Sequence, residues 1–114
     1  MANTFKLVTK ANVTSADVIY TPNAVTTIIL GLMLGNTTTS QVTSTVSLAS
    51  STSNRAGDNN EDNQTVELIT SAPIPAGSSL ELLGGNKVVM ENNDALSVTS
   101  TGSTDVVLSI MEIS

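Results

Sequence analysis

Alternating apolar and polar residues run along most of the chain and predict strands. Thr4 to Lys10 alternates, with Phe5 and Leu7 on one face and Lys6 and Val8 on the other. Asp17 to Thr21 is a second strand, and Pro22-Asn23 turns the chain into the longest one, Val25 to Leu34. Strict alternation there puts Ile28, Leu30, Leu32 and Leu34 on one face and Ile29, Gly31 and Met33 on the other. A strand apolar on both faces is either covered on both or packs on a neighbour outside the core.

After the turn cluster Gly35 to Ser40, Val42 to Ala49 has Val42, Val46 and Leu48 inward and Thr43, Thr45 and Ser47 outward. Residues Ser50 to Asn63 show no periodicity and no large apolar side chain, the signature of a long polar loop. Gln64 to Thr70 resumes the pattern, with Val66 and Leu68 inward and Glu67 outward. In Ala72-Pro73-Ile74-Pro75-Ala76-Gly77 the prolines remove backbone donors, which excludes a helix or a central strand. This stretch is expected to be an extended crossover and a corner, with Gly77 permitting the reversal. Ser79 to Leu83, Lys87 to Met90, Ala95 to Ser100 and Asp105 to Ile113 then follow closely. Their turns, Gly84-Gly85-Asn86, Asn92-Asn93 and Thr101-Gly102-Ser103, suit the positive φ of tight reversals.

Eight or nine short strands at spacings of about 8–12 residues predict an all-β, single-domain β-sandwich spanning residues 1–114. A jelly roll fits the strand count, and the proline corner suits a strand that changes sheets. The alternative is an immunoglobulin-like sandwich, which lacks its Cys and Trp hallmarks here. Folding a chain of 114 residues buries roughly 65% of its unfolded surface, enough for one core.

Composition narrows the chemistry. Roughly a quarter of the residues are Ser or Thr, which favours pleated, half-buried strands over helices. Cysteine and histidine are absent, so no thiol site, disulfide or histidine proton shuttle exists. The net charge is −6, with ten acids against Lys6, Lys10, Arg55 and Lys87. Such a surface repels phosphate backbones, and no direct nucleic-acid partner is expected. The longest apolar run, Ile28 to Leu34, falls far short of the ~20 residues of a membrane span. The N-terminal residues Met1 to Lys6 hold no apolar h-region, so the expectation is a soluble protein made in a cytoplasm, without a membrane partner.

Acids and amides alternate at Asp58 to Asn63, which raises calcium. Asp58, Asn60 and Asp62 match the first three ligand positions of an EF-hand loop. Asn63 then stands where the glycine belongs and Ile69 where the bidentate glutamate belongs, so neither a metal nor a cofactor is expected. Adding a chelator should accordingly leave the melting temperature unchanged; a drop of more than a few degrees would restore the calcium reading. The serines have no base at catalytic spacing, and no aromatic platform accompanies the carboxylates, so no catalytic residue is expected. A carbohydrate-binding module is a further alternative, against which the aromatic content, Phe5 and Tyr20, counts. What remains is interaction. Apolar Ile29 and Met33, with Phe5, Val107, Met111 and Ile113, are the expected subunit interface of a homo-oligomer, a trimer on this expectation.

Two blocks carry a resemblance. The first is Tyr20-Thr21-Pro22-Asn23 leading into Ile28-Ile29-Leu30-Gly31-Leu32-Met33-Leu34-Gly35-Asn36-Thr37-Thr38. The second runs from Ala72-Pro73-Ile74-Pro75 through Leu80-Glu81-Leu82-Leu83-Gly84-Gly85-Asn86-Lys87 to Glu91, closing with Leu108-Ser109-Ile110-Met111-Glu112-Ile113. Together they resemble small β-rich virion structural proteins of tailed bacteriophages, in particular of marine and cyanobacterial phages. The resemblance covers most of the chain except Ser50 to Asn63. It implies a non-enzymatic capsid decoration (cement) protein on the outer capsid surface, assembled in the host cytoplasm, with the major capsid protein and itself as partners. A neck, tail or head-fibre component is the alternative it leaves. In the decoration role, Asn54, Arg55, Asp58 and Glu61 of the polar loop are the candidate partner contacts.

Overall fold

Antiparallel pairing turns the strand segments into one long ladder folded back on itself. The computed structural model describes residues 3–51, 64–83 and 86–113. Its strands are β1 (Asn3–Val13), β2 (Ala16–Tyr20), β3 (Thr26–Asn36), β4 (Val42–Ser50), β5 (Gln64–Ile74), β6 (Ser79–Leu82), β7 (Val88–Met90), β8 (Ala95–Ser100) and β9 (Thr104–Ile113). The rungs nest by sequence: β1 pairs with β9, β2 with β8, β3 with β6 and β7, and β4 with β5. Wrapping this ladder sends alternate rungs to two sheets, β1-β9-β3-β6 and β2-β8-β4-β5, with β7 sharing β3's edge. This is the jelly-roll order, in which β6 and β7 together occupy the place of one strand. The immunoglobulin alternative falls, because β1 lies beside β9 and not in a sheet of its own hairpin neighbours.

The two sheets close on a core of aliphatic side chains. Leu32, Leu34, Val106, Leu108 and Ile110 from one sheet meet Val42, Val46, Leu96, Val98 and Ile74 from the other. Each side chain of this kind contributes about 1.5–3 kcal/mol by leaving water.

One residue corrects the expected facing of the longest strand. Ile29 pairs with Ile110, but Gly31 pairs with Ser109, so Leu30 is an extra residue, a β-bulge. The bulge shifts the pleat by one. Thr27, Ile29, Leu32, Leu34 and Asn36 are all buried, while Met33 is exposed. Ile29 therefore belongs to the core and not to an outer interface. A second bulge at Leu68, where Val46 pairs with Ile69 and Ser47 with Glu67, brings Ile69 against the core beside Leu68, which packs there as expected. Val66, opposite Leu48 on the core side, is half exposed at the sheet edge.

The proline stretch forms the corner between sheets. Pro73 pairs with Thr43 on the edge strand β5, where a missing N–H breaks no ladder bond. The chain then turns through Pro75 to Ser78, the Ser78 N–H donating to the Pro75 carbonyl at 3.0 Å with Gly77 at φ +68°. That is the turn type whose third residue must take positive φ. Buried Asn36 pins this corner: its side-chain amide donates to the carbonyls of Ser40 (2.8 Å) and Ile74 (2.9 Å). Gly102 serves differently from the expectation for its turn. A Cβ there would lie 2.6 Å from Val42 Cγ1, so close approach, not positive φ, requires the glycine.

Candidate functional site

Residues directly opposite in an antiparallel ladder share a face, so the pairing fixes what each sheet shows to its surroundings. On the outer side of β1-β9-β3, one row across the strands reads Phe5, Met111, Ile28 and, on β7, Val89. The next row is Leu7, Ser109 and Gly31, and the one after it is Thr9, Val107, Met33 and Glu81. Ile113 stands at one end, opposite Asn3 and Thr26. Phe5 is 71% exposed and Leu7 65%, while Met33 and Val107 are near 40%. Four strands and three rows span roughly 300–400 Å², in which Thr9, Ser109 and Glu81 interrupt the apolar side chains. At its centre Gly31, Met33, Glu81, Val107 and Ser109 line a depression of about 160 Å³. A Cβ on Gly31 would meet nothing within 4 Å, so the depression opens outward.

The outer face of the other sheet is made differently. Thr45 lies opposite Thr99, Ser47 opposite Ser97 and Ala49 opposite Ala95. The Ser and Thr side chains there keep their water, while Ala49 and Ala95, half-exposed Val18 opposite Ser97 and charged Glu67 opposite Ser47 complete the face. One sandwich thus presents a large-residue apolar face and a wetted face back to back.

One acid, Glu81, reaches the depression itself beside Met33, and Asp105 lies at the margin of the face beside Gly35. The cations of β1 sit on the core side of the sheet: Lys6 lies opposite Ile110 and pairs with Glu112 at 2.7 Å, and Lys10 lies 3.8 Å from Asp17. Lys6 is the outer member of a clasp that joins three strands of one sheet to β2 of the other. Tyr20 OH donates to Glu112 Oε2 at 2.6 Å, and the Thr27 hydroxyl lies 2.7 Å from the same tyrosine oxygen. The Lys6 hydrogen bond, followed by that from Tyr20, holds the Glu112 carboxyl below its ordinary value of 4.5. Burial, followed by the Glu112 hydrogen bond, pushes Tyr20 up to about 12.

The signs follow from linkage. The folded state favours the Glu112 carboxylate, so its contribution is complete above 4.5 and is lost as pH falls through the depressed value. It also favours protonated Tyr20, whose contribution is complete below 10 and is lost as pH rises from 10 toward 12. Glu112→Gln should lower the melting temperature by a few degrees at neutral pH and flatten its fall on the acid side. An acid limb unchanged in the variant, followed by melting temperature against pH, would contradict the clasp.

Of the residues singled out from sequence, Phe5, Met33, Val107, Met111 and Ile113 come together on the apolar face, and Ile29 does not. Asn54, Arg55, Asp58 and Glu61 lie outside the described residues, as does the Asp58–Asn63 stretch. Leu7, Ile28, Val89 and Gly31 complete the face without having been singled out. Leu7 shares the parity of Phe5 and Gly31 that of Met33, so both were legible, whereas Ile28 needed the bulge to be known. Among the described residues no three His, Cys, Asp or Glu side chains converge as a metal site.

No protein-family model and no curated protein matches the chain. Among solved structures it is similar to a chain described under Bacillus endospore appendages that form a family of disulfide-linked pili. That match has 13% identity and a TM-score of 0.43 and covers 96% of this chain and 85% of the other. It is also similar to a chain of the T13 particle of infectious bursal disease virus, at 8% identity and a TM-score of 0.39, over 96% of this chain and 35% of that one. A chain from the Gx strain of the same virus gives 8% identity and a TM-score of 0.39, over 98% and 37%. The chain spans about a third of the length of these viral chains.

Proposed function

We propose that this protein is a non-enzymatic virion structural subunit, a capsid decoration protein that docks on the outer surface of a shell and clamps neighbouring major capsid subunits. The observation that carries the proposal is the apolar outer face of β1-β9-β3, backed by a hydroxylated face on the other sheet. A subunit lying on a shell needs this asymmetry, with one face to exclude water against the shell and one to stay wetted outside. The sequence resemblance to phage virion proteins points the same way, and a net charge of −6 suits the outside of a particle better than contact with packaged nucleic acid. A patch of this size binds weakly by itself. Retention comes from several subunits being engaged at once, which multiplies weak contacts through effective concentration.

The test is co-sedimentation of purified protein with particles stripped of it, with negative-stain labelling to locate it. Saturable binding over the outer shell is expected. Binding confined to neck or tail structures would overturn the decoration role and leave a virion role. Absence of binding to every part of the particle would overturn both.

A further inference from the structure

The four sheet edges of the sandwich are not alike. β2 is five residues long and its register breaks between Val18 and Tyr20. β5 carries Pro73 and two register breaks. The β6/β7 edge is split into strands of four and three residues, with Leu83 at φ +62° following β6. Short strands, prolines and bulges are the devices by which proteins keep a sheet edge from pairing with another chain. β1 has none of them where it matters. From Asn3 to Lys10 it pairs with β9 residue by residue, without proline or glycine, and its break comes only between Lys10 and Val13. Its one protective feature there is the pair Lys6 and Lys10, which lie on the core side, reach Glu112 (2.7 Å) and Asp17 (3.8 Å) of the same chain, and leave the outer row of Phe5 and Leu7 uncharged. The most exposed apolar side chains among the described residues, Phe5 and Leu7, stand at this open edge, so the apolar face stops abruptly there.

We infer that the free edge of β1 pairs antiparallel with β1 of a second copy, about a twofold axis at Leu7, joining two sheets into one. A twofold axis normal to the sheet keeps like faces together, so the axis must pass through a residue; charge excludes Lys6 and Val8, and Leu7 then pairs more of the unbroken Asn3–Lys10 stretch than Phe5 or Thr9 does. An axis at Lys6 sets Lys6 against Lys6, and an axis at Val8 sets Lys6 against Lys10. An axis at Leu7 sets Leu7 against Leu7, Phe5 against Thr9, Lys6 against Val8 and Thr4 against Lys10, and uses the unbroken part of the strand. No like charges then stand opposite one another, a juxtaposition that destabilises strand pairs. Such an interface is isologous and closes on itself, so it makes a dimer and not a fibre. It also continues the apolar face across the axis, from Phe5 and Leu7 of one copy to those of the next. The pairing stands on the edge alone and does not rest on the shell reading.

Sedimentation velocity of the full chain across a concentration series should show a monomer–dimer equilibrium. Leu7→Lys and Leu7→Glu should each weaken the dimer by about tenfold or more, and mixing the two variants should restore it, because the residue meets its own copy at the axis. The chain has no cysteine, so single cysteines report the register directly. Leu7→Cys should oxidise to a covalent dimer and Thr9→Cys should not. Met33→Asp, on the face and away from the edge, should leave the dimer intact. A wild type that is monomeric or trimeric throughout overturns the inference. So does a dimer that Met33→Asp dissolves, or cross-linking as efficient through position 9 as through position 7.

Discussion

Ile29→Asp is expected to leave the chain unfolded, and Ile29→Ala to lower its melting temperature by at least about 10 °C. Ile29 is fully buried, opposite Ile110 and within the aliphatic core between the sheets. Truncation to alanine removes three carbons from a packed interior and costs about 2–5 kcal/mol, against a total stability of about 5–15 kcal/mol for a domain of this kind. An aspartate adds the desolvation of a carboxylate with no cation facing it, which the remaining stability does not offset. Circular dichroism and a thermal scan decide the matter. A folded Ile29→Asp variant with altered oligomeric state would mean that Ile29 faces outward, as strict alternation expects, and that the bulge at Leu30 is wrong.

The second large effect is the opposite one: a folded chain with lost docking. Met33 and Val107 are opposite one another on the outer face, and both line the depression beside Gly31. The double variant Met33→Asp/Val107→Asp sets two carboxylates opposite one another in a row with Glu81 but leaves the core untouched, so it should stay folded while melting several degrees below the wild type. On a shell, burial of each side chain is worth about 1–2 kcal/mol, and two new carboxylates beside Glu81 must then be desolvated. Affinity for stripped particles should fall by about 100-fold or more. Ser47→Asp/Ser97→Asp, opposite one another on the other sheet's outer face and in a row with Glu67, is the matched control and should bind as the wild type does. Equal losses from both pairs would mean that net charge, not the apolar face, controls binding.

The contrast between these two substitutions shows what the chain makes legible and what it hides. Strand existence was readable, because Thr-rich alternation is interrupted by residues with local reasons to turn, such as Gly77 at φ +68° and Asn93 at φ +72°. The sheet change at Pro73–Pro75 was readable for the same reason. The facing of β3 was not. A bulge inserts one residue relative to the partner strand, and that partner, β9, lies about 80 positions away, so no local period records it. With a pleat of period two, one inserted residue exchanges the faces of everything on one side of it. This moved Ile29 inward while leaving Met33 outward, and it brought Ile28 onto the apolar face. The clasp was hidden for a similar reason. Tyr20, Thr27, Lys6 and Glu112 are neighbours only once the ladder is wrapped, which brings Tyr20 to Glu112 across 92 positions.

The proposed decoration role requires this sandwich to lie on the outside of a viral shell with its apolar sheet face against the shell. The most direct measurement is an image reconstruction of the intact particle at a resolution that separates strands. The expected result is density for this domain on the outer capsid surface, with Met33, Val107 and the depression beside Gly31 against capsid subunits and the Thr45–Thr99 face toward solvent. Density found only in the neck or tail, or a domain seated on the shell by its hydroxylated face, would contradict it.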